Sequence, residues 1–364
     1  MSEFSAEDVI RTQKLVDLVV SIHERGYFIN DPSPAALSWD DKGTPSIDDV
    51  DLVNRSHVDI PHLVLSQLWS LMYGASPRRR IDAASEYLKR REMDADSETA
   101  MKEHIAREIQ RCFHTNRDFK IIQAGGLVWH ARHEAMNDAH RIVLEDPDAF
   151  LQPSPTLIKD SRATTVARTA GQALLKRFNL KKYRNIVKHQ FSPSRARSAY
   201  KRAYHLEMIG IRTPRVLAYA DKKVLGCIHK SYLLMDYLPD VQIGAETLKA
   251  LAIERADQRL DLLSSAGRLV GLLHGEGFSN RDLKASNLLV SDPGDLWLVD
   301  LDGIKHLETV SAAVRIKNLR RMVRDLPHYG DLSLREKLRF LSSYCLGVQN
   351  GQPKELFRTL SRVD

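Results

Sequence analysis

The rhythm of apolar and polar residues changes twice along the chain. Residues 1–95 read as mostly helical, and residues 96–117, which include SETAMKEHIAREIQRCFHTNR from Ser97, are polar and helix-prone, a connecting helix. From Asp118 the texture becomes short apolar runs broken by Gly, Asp, Ser and Arg. PTLIKD, TTVART and QALLKRF predict three strands joined by tight turns at Asp160–Ala163 and Ala170–Gly171. SPSRARSAYKRAYHLEMIG predicts a helix, with Ser192 or Ser194 as its N-cap and Gly210 as its stop. PRVLAYAD and KSYLLMDYL predict two further strands. A long helix is expected from about Leu248 to His274, and from Val310 onward the chain is again helical.

Part of this pattern occurs twice. LVVSIHERGYFINDPSPAALSWDDKGTPSIDDVDLVN from Leu18 aligns without a gap on LVGLLHGEGFSNRDLKASNLLVSDPGDLWLVDLDGIK from Leu269. His23 falls on His274, Gly26 on Gly277, Asp31 on Asp282, Asp49 on Asp300 and Asp51 on Asp302. Leu68 meets Leu319 and, after a short shift, SPRRRIDAASEY at Ser76 resembles SLREKLRFLSSY at Ser333. One unit of fold is therefore expected twice, and only the second copy is preceded by strands.

Composition narrows the class. A 364-residue chain with 43% hydrophobic and 28% charged residues can bury two ordinary globular cores. No apolar run reaches the roughly 18 residues of a membrane span, and the polar start MSEFSAEDVIRTQ is not a secretory signal. Cys112, Cys227 and Cys345 stand far apart, which argues against a disulfide framework or zinc site and predicts a cytoplasmic protein. The net charge of +7 is concentrated between Arg162 and Arg215, where Glu207 is the only acid. Lys176, Arg177, Lys181, Lys182, Arg184, Lys188, Arg195, Arg197, Lys201 and Arg202 make a strip suited to an anionic partner or to solvation as a charged face.

The second copy carries chemistry. Asn280-Arg281-Asp282-Leu283-Lys284-Ala285-Ser286-Asn287 matches the catalytic loop H-R-D-L-x-x-x-N of protein kinases, with Asn280 in place of the His. An Asp in such a loop accepts the proton of an attacking hydroxyl, and the Asn after it ligates Mg²⁺ beside the phosphates. Lys284 is placed to neutralise the transferred phosphoryl group. LWLVDLDG then ends a strand in Asp300, at the position of the metal-binding Asp of D-F-G; with Asn287 it would supply the protein's share of a Mg²⁺ site. Lys176 in ALLKRF stands where a kinase places the lysine that pairs nucleotide phosphates. Met235 and Tyr237 fall at the inter-lobe hinge. There is no G-x-G-x-x-G between the first two strands; the turn runs Asp160-Ser161-Arg162-Ala163-Thr164, and Ser161 and Thr164 are the candidate phosphate contacts. No Glu in the middle of the following helix faces Lys176, and Glu207 lies too near the helix end to replace it.

KRF after a Gly-poor hairpin, SRARSAYKRAYHLEMIGIRTPRVLAYA, RDLKASNLLV, VDLDG, KNLRRM and LRFLSSY together resemble the lipopolysaccharide kinase family, the relatives of the Kdo and heptose kinases, over roughly Leu157 to Tyr344. The resemblance implies an α+β, two-lobed protein-kinase-like fold. It also implies ATP- and Mg²⁺-dependent phosphorylation of a sugar hydroxyl on an anionic glycolipid, at the inner face of a membrane that the basic residues 176–202 could touch. The expected organisation is a degenerate, mostly helical C-lobe-like module (1–95), a helical linker (96–117), an N-lobe with its hinge (118–240) and a C-lobe (241–364). A protein acceptor, as for a serine/threonine kinase, and a non-catalytic pseudokinase scaffold are the alternatives; no specific nucleic-acid partner is expected.

In the first copy Asp31 and Asp49 remain, but Ala36 stands at the position of Asn287, Ser33 at that of Lys284 and Leu52 at that of Gly303. Positioning and charge stabilisation carry most of phosphoryl transfer, so an isolated Asp contributes little. Asp282→Asn should lower phosphotransfer by a factor on the order of 10² or more, whereas Asp31→Asn should leave kcat within about two-fold. Steady-state kinetics of the two folded variants checks this; equal losses would overturn it.

Overall fold

The computed structural model describes residues 6–55, 61–91, 94–133, 136–169, 171–179, 193–224, 226–251, 255–291, 295–325, 331–348 and 351–361. Lys181, Lys182, Arg184, Lys188, Ala170 and the alternative cap Ser192 lie outside them. The chain divides into two compact units. One comprises residues 1–121 with 132–134, and the other residues 122–131 with 135–364.

The first unit opens with α1 (Ala6–Glu24), followed by the short strands β1 (Tyr27–Ile29), β2 (Ser38–Trp39), β3 (Pro45–Ser46) and β4 (Val53–Arg55). β1 pairs antiparallel with β4, and β2 with β3. Three helices complete it, α2 (Pro61–Leu71), α3 (Pro77–Arg90) and α4 (Asp94–Arg111). Ser76 caps α3 by accepting from the Arg79 amide, with Pro77 at the first helical position, where its missing N–H is no loss. Leu15, Val16 and Val19 of α1 lie on one helical face and meet Leu65 and Leu68 of α2 and Ala84, Tyr87 and Leu88 of α3 in a closed core. Into it reaches His23, whose Nδ1 lies 3.0 Å from Tyr87 Oη and whose Nε2 lies 2.9 Å from Gln67 Oε1. The expected connecting helix is α4, and it does not stand apart. It packs on α2 and α3 and buries His104, Glu108, Ile109 and Cys112, so its apolar stripe is satisfied inside this unit.

β5 (Phe119–Ala124) and β6 (Leu127–Arg132), which straddle the division, precede α5 (Asp138–Glu145). β7 (Leu157–Asp160), β8 (Thr164–Thr169) and β9 (Ala173–Asn179) follow as the sequence predicts. Next come α6 (Arg195–Met208), capped by Ser194 and stopped at Gly210 with φ +78°, then β10 (Val216–Val224) and β11 (Cys227–Asp236). These strands form one sheet in the order β5-β6-β10-β11-β9-β8-β7. Its buried face carries Trp129, Leu175, Tyr232 and Leu234 against Val143 and Leu144 of α5; α6 packs on β10 and β11.

The helical half begins with β12 (Gln242–Ile243) and α7 (Gly244–Ala250). The long helix, α8, runs only over Ala256–Gly275. The expected start at Leu248 belongs to α7, which ends at Leu251 because that residue is extended (ψ 94°) and Arg259 of α8 donates to the carbonyls of Leu248 and Leu251. β13 (Phe278–Asn280), β14 (Leu288–Ser291), β15 (Asp295–Leu298) and β16 (Ile304–His306) follow, then α9 (Ala312–Asp325), α10 (Leu334–Gly347) and α11 (Pro353–Ser361). β14 pairs with β12 and β15, and β13 with β16. α8 and α10 approach closely enough that a Cβ on Gly271 would stand 2.4 Å from the Tyr344 carbonyl oxygen. His274 lies between them, with Nδ1 2.9 Å from Tyr344 Oη and Nε2 3.1 Å from Asn318 Oδ1.

Burial keeps several imidazoles neutral. It lowers His104 and His274 to about 4 and, with the neighbouring His306 and Lys201, His205 to about 3. Below the ordinary value of 6.5 the unfolded chain binds protons that the folded chain does not, so stability rises with pH across this window and is lost as pH falls through it. The melting temperature should drop between pH 7 and pH 5. In His205→Phe, which keeps a ring against Phe278 and His306, the drop should be smaller by the equivalent of up to about 2 kcal/mol; thermal unfolding followed by circular dichroism at both pH values checks this.

Candidate functional site

The site lies within the second unit, and three stretches of chain build it. On β9 the side chains alternate, with Ala173 and Leu175 buried in the core and Lys176 on the other face, its ammonium 4.9 Å from the centroid of the Phe178 ring. Between β13 and β14 the loop from Asn280 to Asn287 is fixed by its own hydrogen bonds. Asn280 is fully buried; its amide donates to Asn318 Oδ1 at 2.8 Å and its side-chain oxygen accepts from the Asp282 amide at 2.9 Å. Asn287 Nδ2 donates to the Asp282 carbonyl at 3.0 Å, which leaves its amide oxygen as the acceptor end. After β15 the chain turns sharply at Asp300, a non-glycine residue held at φ +58°, ψ +70°. Such left-handed strain in a non-glycine residue persists only where surrounding structure enforces it, and it clusters at functional sites. Two residues of the following turn later, Gly303 must be glycine: a Cβ there would stand 2.5 Å from Asn280 Oδ1.

Charge then ties the stretches together. Lys176 Nζ lies 3.1 Å from Asp300 Oδ1 and 3.4 Å from Asp302 Oδ2. Burial alone would raise the Asp300 carboxyl, but Lys176, with Lys159 and Arg195, outweighs it and holds the group below the ordinary carboxylate range. Asp302 Oδ2 also meets Arg195 Nη2 at 2.6 Å, and the Arg195 guanidinium lies over the Phe178 ring, 4.6 Å from its centroid. Asp282 Oδ1 has its own pair of cations, Arg321 at 3.0 Å and Lys284 at 3.2 Å.

The structure thus places Lys176 against Asp300, and Lys284 and Asn287 against Asp282; the two stretches are joined by backbone bonds, from the Val299 amide to the Asn287 carbonyl at 2.9 Å and from the Arg281 amide to the Gly303 carbonyl at 3.1 Å. The turn and hinge residues behave differently. Ser161 Oγ donates to the Thr164 carbonyl at 2.8 Å and accepts from the Thr164 amide at 3.2 Å, and Thr164 is buried. Their polar groups close the hairpin on itself, so a phosphate reaching this turn meets the side chains of its rim, among them exposed Lys159 and Arg162. At the hinge the Tyr237 amide donates to the Gln172 carbonyl and the Asp236 amide to that of Arg215, each at 2.9 Å; Met235 sits within β11, opposite Leu174 of β9. Sequence reasoning placed Arg195 on a basic face, where it is exposed, and missed that it pairs with Asp302. It also missed Asp302 as the acid beside Lys176 and Arg321 beside Asp282. The available signal was a charge exchange: the helix has arginines and no mid-helix Glu, and a second Asp follows Asp300.

For a magnesium ion the donors are of the right chemistry, a carboxylate at Asp300 and an amide oxygen at Asn287. Among the described residues no group of three or more His, Cys, Asp or Glu side chains forms a complete metal cage. Mg²⁺ takes one or two carboxylates and completes its octahedron with phosphate and water.

These features define a protein-kinase-like α+β site. The sequence pattern of the lipopolysaccharide kinase (Kdo/WaaP) family matches residues 161–344, half of the chain, and the chain belongs to that family. It is 28% identical over 117 residues to a 3-deoxy-D-manno-octulosonic acid kinase of Xylella fastidiosa, covering 32% of this chain and 44% of the relative. To the serine/threonine-protein kinase 16 of Mus musculus it is 31% identical over 90 residues, 24% of this chain and 29% of the relative. The chain spans less than half the length of these curated relatives. A solved structure of WaaP in complex with acyl carrier protein is similar at TM-score 0.45 and 18% identity, over 58% of this chain and 86% of that one. No helix among the described residues is long and apolar enough to cross a membrane.

Asp302 is shared by two cations, Arg195 and Lys176, the second of which also has Asp300 as a partner. Asp302→Asn should cost about 1–3 kcal/mol in urea unfolding. A double-mutant cycle with Lys176→Met should return a coupling of at least about 0.5 kcal/mol, and a coupling of zero would refute the pairing.

Proposed function

We propose that the second unit is an ATP- and Mg²⁺-dependent phosphotransferase whose acceptor is a sugar hydroxyl of an anionic, lipopolysaccharide-core-type glycolipid. The observation that carries this reading is the contact of Lys176 with Asp300 at 3.1 Å across the cleft, with Asn287 fastened to the backbone of Asp282. Lys176 binds nucleotide phosphates, and Asp302 holds its ammonium in place, a duty that a helix Glu performs in most kinases. Asp300 and Asn287 Oδ1 would hold the metal, which would supply positive charge against the transferred phosphoryl group and the leaving diphosphate. Asp282 takes the proton of the acceptor hydroxyl on a carboxylate oxygen. The acceptor oxygen bonds to the γ-phosphorus, the bond to the β–γ bridging oxygen breaks, and ADP departs. Lys284 and Arg321, both within 3.2 Å of Asp282, orient the carboxylate and offset charge on the phosphoryl oxygens.

Family membership supports a sugar acceptor, and the likeness to a serine/threonine-protein kinase over 90 residues supports a protein acceptor as the second reading. The basic strip bears on the choice less than its composition suggests. Arg177 is paired with Asp148 at 2.7 Å, Arg195 with Asp302, and Arg202 donates to the Leu301 carbonyl at 3.4 Å. The exposed basic residues of α6 that an anionic glycolipid or membrane surface could meet are Arg195, Arg197 and Lys201.

Incubation with labelled ATP and Mg²⁺, once with a lipopolysaccharide-core extract and once with a general protein substrate, should label the glycolipid. Label in protein alone would move the assignment to a protein kinase. ATP with Mg²⁺ should raise the melting temperature, the gain growing as RT ln(1 + [L]/Kd), and Lys176→Ala and Asp300→Ala should each shrink the shift. No shift with any nucleotide at millimolar concentration would favour a scaffold.

A further inference from the structure

The hairpin between β7 and β8 lies where a kinase fold covers the nucleotide phosphates, and its own amides are engaged. The Ser161 amide donates to the Thr164 carbonyl at 3.0 Å, and the Thr164 amide donates to Ser161 Oγ at 3.2 Å. The donors that successive backbone N–H groups supply in a phosphate loop must come here from side chains.

Arg195, the first residue of α6, stands at that point. Its Nη2 lies 2.6 Å from Asp302 Oδ2, its Nη1 donates at 3.3 Å to the carbonyl of Ala163 in the hairpin turn, and its guanidinium lies over the Phe178 ring, 4.6 Å from the centroid. Lys176 shares two of these partners. Its ammonium is 3.4 Å from the same Asp302 oxygen and 4.9 Å from the centroid of the same ring. Two cations, one from α6 and one from β9, are thus gathered on one carboxylate oxygen and one aromatic ring. A polyphosphate running from Lys176 toward the hairpin passes the second of them.

The fold does not need Arg195 to hold it together. The Ala163 carbonyl already accepts from the Asn179 amide at 3.0 Å, so the longer bond from Arg195 is expendable. α6 is seated by buried Ala196, Ala199, Tyr200 and Ala203, and by Arg202, two turns further along the same face, which donates to the Leu301 carbonyl at 3.4 Å. A guanidinium carries five N–H donors, and the bonds to Asp302 and Ala163 use two of them. With its side chain 43% exposed, Arg195 is oriented by Asp302 and still open to a ligand.

We propose that Arg195 is a phosphate-binding residue of the nucleotide site, donating to the terminal phosphate of a nucleoside triphosphate while Lys176 takes the phosphates nearer the nucleoside. The inference rests on the phosphotransferase reading above and names the group that tells a triphosphate from a diphosphate. A planar fork of donors matches a terminal phosphate better than an ammonium does. Held in advance by Asp302, it also offsets the charge that spreads over the phosphoryl oxygens during transfer.

Binding to the full chain is read by isothermal titration calorimetry with Mg²⁺, using ADP and the non-hydrolysable β,γ-imido analogue of ATP. In Arg195→Met the dissociation constant of the triphosphate should rise about ten-fold or more and that of ADP by less than about three-fold, as expected for loss of a charge-assisted bond to the terminal phosphate. Lys176→Met should weaken both nucleotides alike. Arg195→Lys, which keeps the charge and loses the fork, should fall between wild type and Arg195→Met. Circular dichroism and the melting temperature check folding, and if Arg195→Met is unfolded the selective loss of triphosphate affinity in Arg195→Lys decides. Equal weakening of both nucleotides by Arg195→Met would make Arg195 a strap for the hairpin and overturn the proposal, as would an unchanged affinity for the triphosphate. No binding of either nucleotide to the wild type would remove the phosphotransferase reading itself, and this inference with it.

Discussion

The second unit of this protein depends on one buried amide. Asn318 Oδ1 accepts from the backbone of Asn280 and stands 3.1 Å from His274 Nε2, so a single oxygen fastens the loop that carries Asp282 to helices α8 and α9. An unmet donor at either position would cost about 1–3 kcal/mol in the dry interior, and burial keeps His274 neutral, so the bond survives without a charge to stabilise it. From this anchor the rest follows: Asn280 orients the Asp282 amide, Asn287 closes on the Asp282 carbonyl, and Gly303 leaves room for the Asn280 side chain.

The second constraint is electrostatic. A lysine on β9 needs a carboxylate to hold it, and the middle of α6, from Ala199 to Ala203, has no acid. Asp302 supplies the charge from the other side of the cleft, and Arg195 on α6 reaches Asp302 in turn. The helix is thus tied to the same acid through a cation instead of an anion. A site that looks incomplete when its helix is inspected alone is electrically balanced once the turn after β15 is folded against it.

The sequence by itself determined the local features. The strands β7 to β9, the Ser194 cap, the Gly210 stop and the loop Asn280–Asn287 each rest on side-chain periodicity or on backbone chemistry within a few residues, where local preferences act. Only the tertiary structure decided which groups spend their hydrogen bonds on each other. Ser161 and Thr164 look like phosphate ligands until the hairpin closes and engages their hydroxyl and amide internally. Arg195 looks like one more surface cation until Asp302, 107 residues later, comes within 2.6 Å. The break between α7 and α8 has no Pro or Gly to announce it and depends on Arg259 drawing in two carbonyls. Such pairings join residues far apart in the chain, and their strength comes from burial and low dielectric, neither of which exists until the fold has formed.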